Sequence, residues 1–244
     1  MPATPAWPPS SLPRLFVRTA LADGARTELD AAQANYLGNV MRLGEGAEVL
    51  LFDGSSGEWL ARIAEAGKKR MSLAVERRTR EPEDIPDVWL AFAPVKRAQT
   101  DWLVEKATEL GAAKLIPVMT QRTIAERVKL ERLESIAIEA AEQCGRTRLP
   151  EIVQPVLLAQ LLKQEGRTLY FADEAGGEPV ASAFRPGAAT ILTGPEGGFT
   201  DEERAKIRGV EGALPISLGP RILRAETAAL ASLAAYMALA GDWR

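Results

Sequence analysis

Leu192-Thr193-Gly194-Pro195-Glu196-Gly197-Gly198-Phe199-Thr200 is the stretch from which the fold can be read. An apolar run, Thr190 to Thr193, leads into it, and a helical pattern, Asp201 to Gly209, leads out. Strand, glycine-rich loop and helix in that order are the repeating unit of a parallel sheet covered by helices. In such sheets ligands sit in the loops beyond the carboxyl ends of the strands. The three glycines leave the main chain bare, so a flat ligand can approach its N–H and C=O groups; the alternative is a tight strand-to-helix turn. The loop lacks the Gly-Lys-Ser/Thr ending of a phosphate loop and departs from Gly-x-Gly-x-x-Gly. Thr200 and Glu203 have the spacing of a capping box, and Asp201 and Glu202 add negative charge to the first turn. Phosphate is repelled by such a helix start, whereas an uncharged or cationic ligand is not.

Downstream, a strand from Leu214 to Leu218 opens into Gly219-Pro220-Arg221-Ile222-Leu223-Arg224-Ala225-Glu226-Thr227, and a last helix runs from Ala225 to Ala240. That helix is nearly all apolar, so the polar groups crowded at its entrance need partners. Arg224 and Glu226 are either a structural salt bridge or a pair facing a ligand. Upstream, strands Val88 to Ala93, Lys114 to Met119 and Thr168 to Ala172 alternate with helices Arg97 to Leu110, Lys129 to Cys144 and one near Leu157 to Glu165. The pattern changes across Glu81-Pro82-Glu83-Asp84-Ile85-Pro86-Asp87, where two prolines disfavour both helix and central strand. The expected domains are therefore 1–83 and 84–244.

The first domain reads as short strands, Arg14 to Val17, Arg26 to Leu29, Glu48 to Asp53, Glu58 to Ile63 and Met71 to Arg77. One helix interrupts them, with Asp30 as N-cap and Gly44 as its stop. The pattern suggests a small β-barrel. Basic residues gather late in it: Arg62, Lys68, Lys69, Arg70, Arg77, Arg78 and Arg80, a strip able to neutralise phosphates. Glu105, Lys106, Glu139, Glu142 and Gln143 close two helices, either as solvated faces or as the lining of an RNA cleft.

The 244 residues contain no histidine, which excludes Ser-His-Asp and Cys-His nucleophiles and His-ligated zinc. Cys144 is the one cysteine, so neither an internal disulfide nor a multi-cysteine metal site is expected, in keeping with a reducing compartment. The net charge of −3 gives no bulk pointer to nucleic acid. Ala228 to Ala240 is too short for a membrane span and reads as a buried helix. The proline-rich start lacks the features of an export signal, and a cytoplasmic location is expected.

Arg14-Leu15-Phe16-Val17, Leu43-Gly44-Glu45-Gly46, Phe52-Asp53-Gly54, Lys106-Ala107-Thr108-Glu109-Leu110-Gly111, Glu142-Gln143-Cys144-Gly145-Arg146, Gly194-Pro195-Glu196-Gly197-Gly198 and Leu218 through Ala228 together resemble the RsmE family. These are 16S ribosomal RNA uridine-N3 methyltransferases of the SPOUT superfamily. The resemblance spans nearly the whole chain. It implies an α/β protein with an N-terminal PUA-like β-barrel that holds RNA, a SPOUT domain with a C-terminal trefoil knot, and a homodimer. It also implies S-adenosylmethionine, a cationic and phosphate-free donor, as cofactor, and 16S rRNA or the small ribosomal subunit as partner, without metal or membrane. Leu192, Thr193, Gly194, Pro195, Glu196, Gly197, Gly198, Leu218, Gly219, Ile222, Leu223, Arg224 and Thr227 then take the donor-binding positions. Arg224 and Glu226 are the catalytic candidates. Arg14, Arg42, Lys68, Lys69, Arg70 and Arg146 are the RNA-binding candidates. The chain departs from the family at Asn35-Tyr36 and at Thr147, where histidine and asparagine are frequent. A non-catalytic RNA-binding ribosome-assembly factor is the alternative.

Overall fold

The computed structural model describes residues 12–67, 70–124 and 128–243, whose contacts divide the chain into two units. The first holds the residues through Glu83 together with Glu142–Arg148; the second holds Asp84–Ala141 and the residues from Leu149 onward.

In the first unit, β1 (Arg14–Phe16), β2 (Arg26–Glu28), β3 (Glu48–Phe52), β4 (Glu58–Ala66) and β5 (Met71–Arg80) pair in the order β1-β3-β4-β5-β2. Successive side chains of a strand point to opposite faces, so Val49 and Leu51, Trp59, Ala61 and Ile63, and Met71, Leu73 and Val75 build one core. Register shifts between β4 and β5 bend the sheet. It stays open: β1 and β2 are its two edges, so hydrogen bonding among the described residues does not close the barrel expected from the strand pattern. α1 (Ala31–Asn35) starts on a capping box of Asp30 and Gln33, then widens into a π-helical turn, Tyr36–Val40. The helix ends there and not at Gly44. Arg42 adopts the left-handed conformation, with φ 56°, and Leu43 N–H closes onto Leu37 O at 2.9 Å.

The second unit alternates strands and helices. In chain order these are β6 (Val88–Phe92), α2 (Arg97–Glu109), β7 (Lys114–Met119), α3 (Leu130–Cys144), β8 (Glu151–Ile152), β9 (Val156–Leu157) and α4 (Leu158–Leu161). Next come β10 (Thr168–Ala172), β11 (Glu178–Pro179), α5 (Val180–Ala183), β12 (Ala189–Thr193), α6 (Asp201–Arg208), β13 (Ala213–Ser217) and α7 (Ala225–Leu239). The last turn of α3 falls in the first unit. Every strand pair is parallel, in the order β11-β13-β10-β12-β6-β7-β8 with β9 on β7.

Both faces of this sheet are covered, which is why its strands read as continuous apolar runs. Leu90, Phe92, Tyr170 and Ile191 pack under α2, α3 and α7, whereas Ala91, Ile116, Phe171 and Leu192 pack under α4 and α6. The helix expected near Leu157 to Glu165 is only Leu158–Leu161, because Lys163 and Gln164 N–H bond back three residues, to Gln160 and Leu161. Among the described residues no helix is long and apolar enough to cross a membrane.

Candidate active site

With all strands running one way, the loops after β10, β12 and β13 leave the same edge of the sheet, and the order β13-β10-β12 sets them side by side. They enclose a cavity of about 540 Å³. The loop after β12 contributes Thr193, Gly194, Pro195, Glu196 and Gly198; the loop after β13 contributes Leu218, Gly219, Ile222, Leu223 and Arg224. The two loops singled out in the sequence thus face one space.

Four candidates lie off its wall. Leu192 is buried in the sheet core, and Thr227 is exposed on α7 without lining the cavity. Gly197 is turned away: its carbonyl accepts from Arg122 Nη1 at 2.6 Å, and a Cβ there would sit 3.4 Å from Arg122 Cδ. The need for bare main chain falls instead on Gly198, whose φ is +65° and whose added Cβ would lie 2.7 Å from Glu174 Oε1. Glu226 is buried in the first turn of α7 and does not line the cavity.

Arg224, the N-cap of α7, is exposed on the wall. The salt bridge to Glu226 is absent, and among the described residues neither Arg224 nor Arg221 has an ion-pair partner. Opposite them stand residues that sequence reasoning missed. Asp173, with its carboxylate fully buried, holds Arg204 at 2.9 Å and Arg208 at 2.7 Å, and Glu174 holds Arg204 at 3.2 Å. Asp173, Glu174 and Arg204 all line the cavity. The signal was present, since Asp173-Glu174 followed by Gly176-Gly177 also ends a strand.

The β12 loop is anchored at its far end. Thr200 Oγ1 accepts from Glu203 N at 3.2 Å, and Glu203 Oε2 accepts from Thr200 N at 3.0 Å, which completes the expected capping box. The second oxygen of that buried carboxylate accepts from Gln121 N at 2.7 Å.

The first unit treats its arginines differently. Arg14, expected to face RNA, is 10% exposed: its Nε lies 2.6 Å from Glu58, and its Nη atoms donate to the carbonyls of Glu142 and Arg146. Burial alone would raise the Glu58 pKa, but hydrogen bonds from Arg80 and Arg14 outweigh it and hold the carboxyl below its ordinary value. Arg146 is also buried, 3.6 Å from Glu83. Both side chains, 10% and 7% exposed, are engaged within the unit. Thr147, where the family often has asparagine, accepts from Glu83 N through Oγ1 at 3.0 Å. In the basic strip Arg62 is paired with Glu48 and Glu76, Arg78 with Glu81, and Arg80 with Glu58. Arg42 and Arg70 are exposed; Lys68 and Lys69 lie outside the described residues. Glu142, a cleft candidate, accepts from Phe16 N at 2.9 Å, and Lys106 is tied to Glu105 and Glu109.

Residues 81–237 match the RNA methyltransferase domain family and residues 29–76 the RNA methyltransferase PUA domain family. Fold and site therefore define an RNA methyltransferase. Ribosomal RNA small subunit methyltransferase E of Rickettsia conorii is 33% identical over 91% of this chain and 93% of its own length. The Synechocystis protein of the same name is 34% identical over 93% of this chain and 77% of its own. Among solved structures, a methyltransferase from Legionella pneumophila in complex with S-adenosylmethionine superposes with a TM-score of 0.85 at 31% identity, covering 96% of this chain and all (100%) of that one. Ribosomal RNA small subunit methyltransferase E from Neisseria gonorrhoeae, bound to S-adenosylmethionine, gives 0.87 at 29% identity with the same coverage, 96% and 100%. The chain belongs to the ribosomal RNA small subunit methyltransferase E family.

Proposed function

We propose that the chain methylates N3 of a uridine in 16S rRNA of the small ribosomal subunit, using S-adenosylmethionine, as a cytoplasmic homodimer. The observation that carries this reading is the cavity of about 540 Å³ lined by the loops after β10, β12 and β13, with an arginine on its wall that has no ion-pair partner among the described residues. The donor fits the residues present. Main chain at Gly194 and Gly198 accommodates a flat adenosine, and Glu196 supplies negative charge for a cation. The acidic first turn of α6 disfavours a phosphate-bearing rival. Bound S-adenosylmethionine supplies an electrophilic methyl group.

The chain's part is to orient and to stabilise. A uracil N3–H must lose its proton before N3 can attack, and the negative charge then spreads onto the carbonyl oxygens. Arg224, which lines the cavity and has no ion-pair partner among the described residues, stabilises that charge, a role of greatest value where water is excluded. The N3 proton passes to solvent water or to Glu226, buried in the first turn of α7 two residues beyond Arg224. The family resemblance supplies the trefoil knot, formed where the loops after β12 and β13 meet. It also supplies the homodimer, in which a second copy would cover Ile222, 88% exposed.

The test is transfer of labelled methyl to unmodified small ribosomal subunits, followed by nucleoside digestion and mass spectrometry. Incorporation as 3-methyluridine is expected. Donor binding with no transfer to any rRNA substrate would overturn the catalytic reading in favour of an assembly factor. A paired control sharpens the donor site: Gly198→Val should weaken S-adenosylmethionine binding at least about tenfold by calorimetry, whereas Gly197→Ala should change it by no more than about twofold.

A further inference from the structure

A second cavity, of about 330 Å³, lies beside the donor cavity. Its apolar lining includes Val95, Val128 and Leu133, and its rim carries Lys96, Arg97 and Lys129. Sheet register explains its position. β6 and β12 are neighbours with Phe92 opposite Thr193, and Ala93 N–H donates to Thr193 O at 3.0 Å. The loops that begin at Pro94 and Gly194 therefore leave the sheet together, and Glu196 lines both cavities.

The two cavities differ in charge. At the second, Arg132 is engaged by Asp101 at 2.7 Å and Arg97 lies 4.0 Å from the same carboxylate, but Lys96 and Lys129 have no ion-pair partner among the described residues. α2 rises from this rim with no acid in its first turn, so its leading N–H groups add positive potential to that of the lysines. α6, beneath the donor loop, has Asp201, Glu202 and Glu203 in its first turn. The rim of the second cavity therefore attracts an anion.

A nucleotide within an RNA strand combines a flat base that packs on aliphatic carbon with phosphates that seek cations. We propose that the second cavity receives the acceptor nucleotide. The base rests on Val95, Val128 and Leu133, the flanking phosphates on Lys96 and Lys129, and the reacting edge faces the donor across Glu196. This assignment rests on the methyltransferase reading of the donor cavity.

The test uses the full chain with Lys96→Ala, Lys129→Ala and the double substitution, and Lys→Arg at both positions as the charge-preserving control. Binding of unmodified 16S rRNA is measured against salt concentration, alongside calorimetric S-adenosylmethionine binding. The double Ala variant should lose about tenfold or more in RNA affinity, and its log K against log salt slope should shrink by about 0.7 for each lost phosphate contact. Donor affinity should be unchanged, and the Arg variant should recover RNA binding. If the wild type methylates rRNA but the double Ala variant keeps wild-type RNA affinity and salt slope, the acceptor assignment is wrong. A parallel fall in donor affinity would also overturn it, by moving the lysines to the donor site. Absence of methylation by the wild type would instead strike the underlying function.

Discussion

In the first unit Arg14 and Arg80 converge on the one carboxylate of Glu58, at 2.6 and 2.9 Å, and Arg62 is held by two glutamates. In the second, Arg221 and Arg224 sit on a cavity wall with no ion-pair partner among the described residues. The sequence makes the first group look the more functional, because its basic residues are dense. The geometry reverses that impression: Arg14, Arg62, Arg78 and Arg80 in the first unit come with matched acids, whereas Arg221 and Arg224 stand unmatched, among the described residues, on one cavity wall. An unpaired charge beside a cavity is the better sign of a ligand.

The largest effect that would break this contrast belongs to Glu58. With its carboxylate removed in Glu58→Ala, the largely buried Arg14 and the half-exposed Arg80 lose their shared partner, and urea unfolding should show a loss of about 3 kcal/mol, most of it from Arg14. Near-wild-type stability would mean that Arg14 and Arg80 are not structural after all. Next comes Arg224→Ala, which should slow single-turnover methylation of small ribosomal subunits by about 100-fold, or ~3 kcal/mol, at unchanged melting temperature. A destabilised variant with normal turnover would show that Arg224 is a structural residue like Arg14.

Asp53 sharpens the comparison from the acid side. Burial works to raise its pKa, but hydrogen bonds from Ser56 backbone and side chain, and from Leu21 and Ser55 N–H, bring it from 3.8 to about 2. A pKa lowered on folding contributes stability that is full above the unfolded value near 3.8 and is lost as pH falls through about 2. Urea midpoints measured from pH 5 to pH 2 should fall less steeply in Asp53→Asn; equal slopes would refute the assignment. The smallest effect is expected at Arg62. It bridges Glu48 and Glu76 on the surface, so Arg62→Ala should leave the melting temperature indistinguishable from wild type at moderate salt.

Much of the architecture could be read in advance because local signals agreed. Glycine loops, apolar runs and the Thr200–Glu203 cap all pointed to strand-loop-helix units, and β7 and β10 begin and end where the apolar runs do. Short elements escaped. β8, β9 and β11 are two residues each, and their pairing is set by long-range neighbours that no local pattern records. The helix stop at Arg42 escaped for a different reason: a left-handed arginine contradicts the residue's ordinary preference, while Gly44 nearby offered the obvious signal. In the site, residue type revealed both loops but not orientation. Gly197 and Gly198 are adjacent in sequence, yet only Gly198 lines the cavity. Asp173 and Glu174 were hidden because acids after a strand are common in solvated turns.

The Glu203 carboxylate, shared between the amides of Thr200 and Gln121, also bears on the timing of recognition. A loop already fastened at its exit, with Arg122 donating to the carbonyl of Gly197, has little disorder left to lose when a small molecule arrives. Deuterium uptake at the Thr200 and Gln121 amides should therefore be slow in the free chain and little changed by the donor. Stopped-flow traces should remain single exponentials, with rates rising linearly with donor concentration and reaching no plateau from a preceding loop rearrangement. The receptor is made at folding, and the encounter only has to find it.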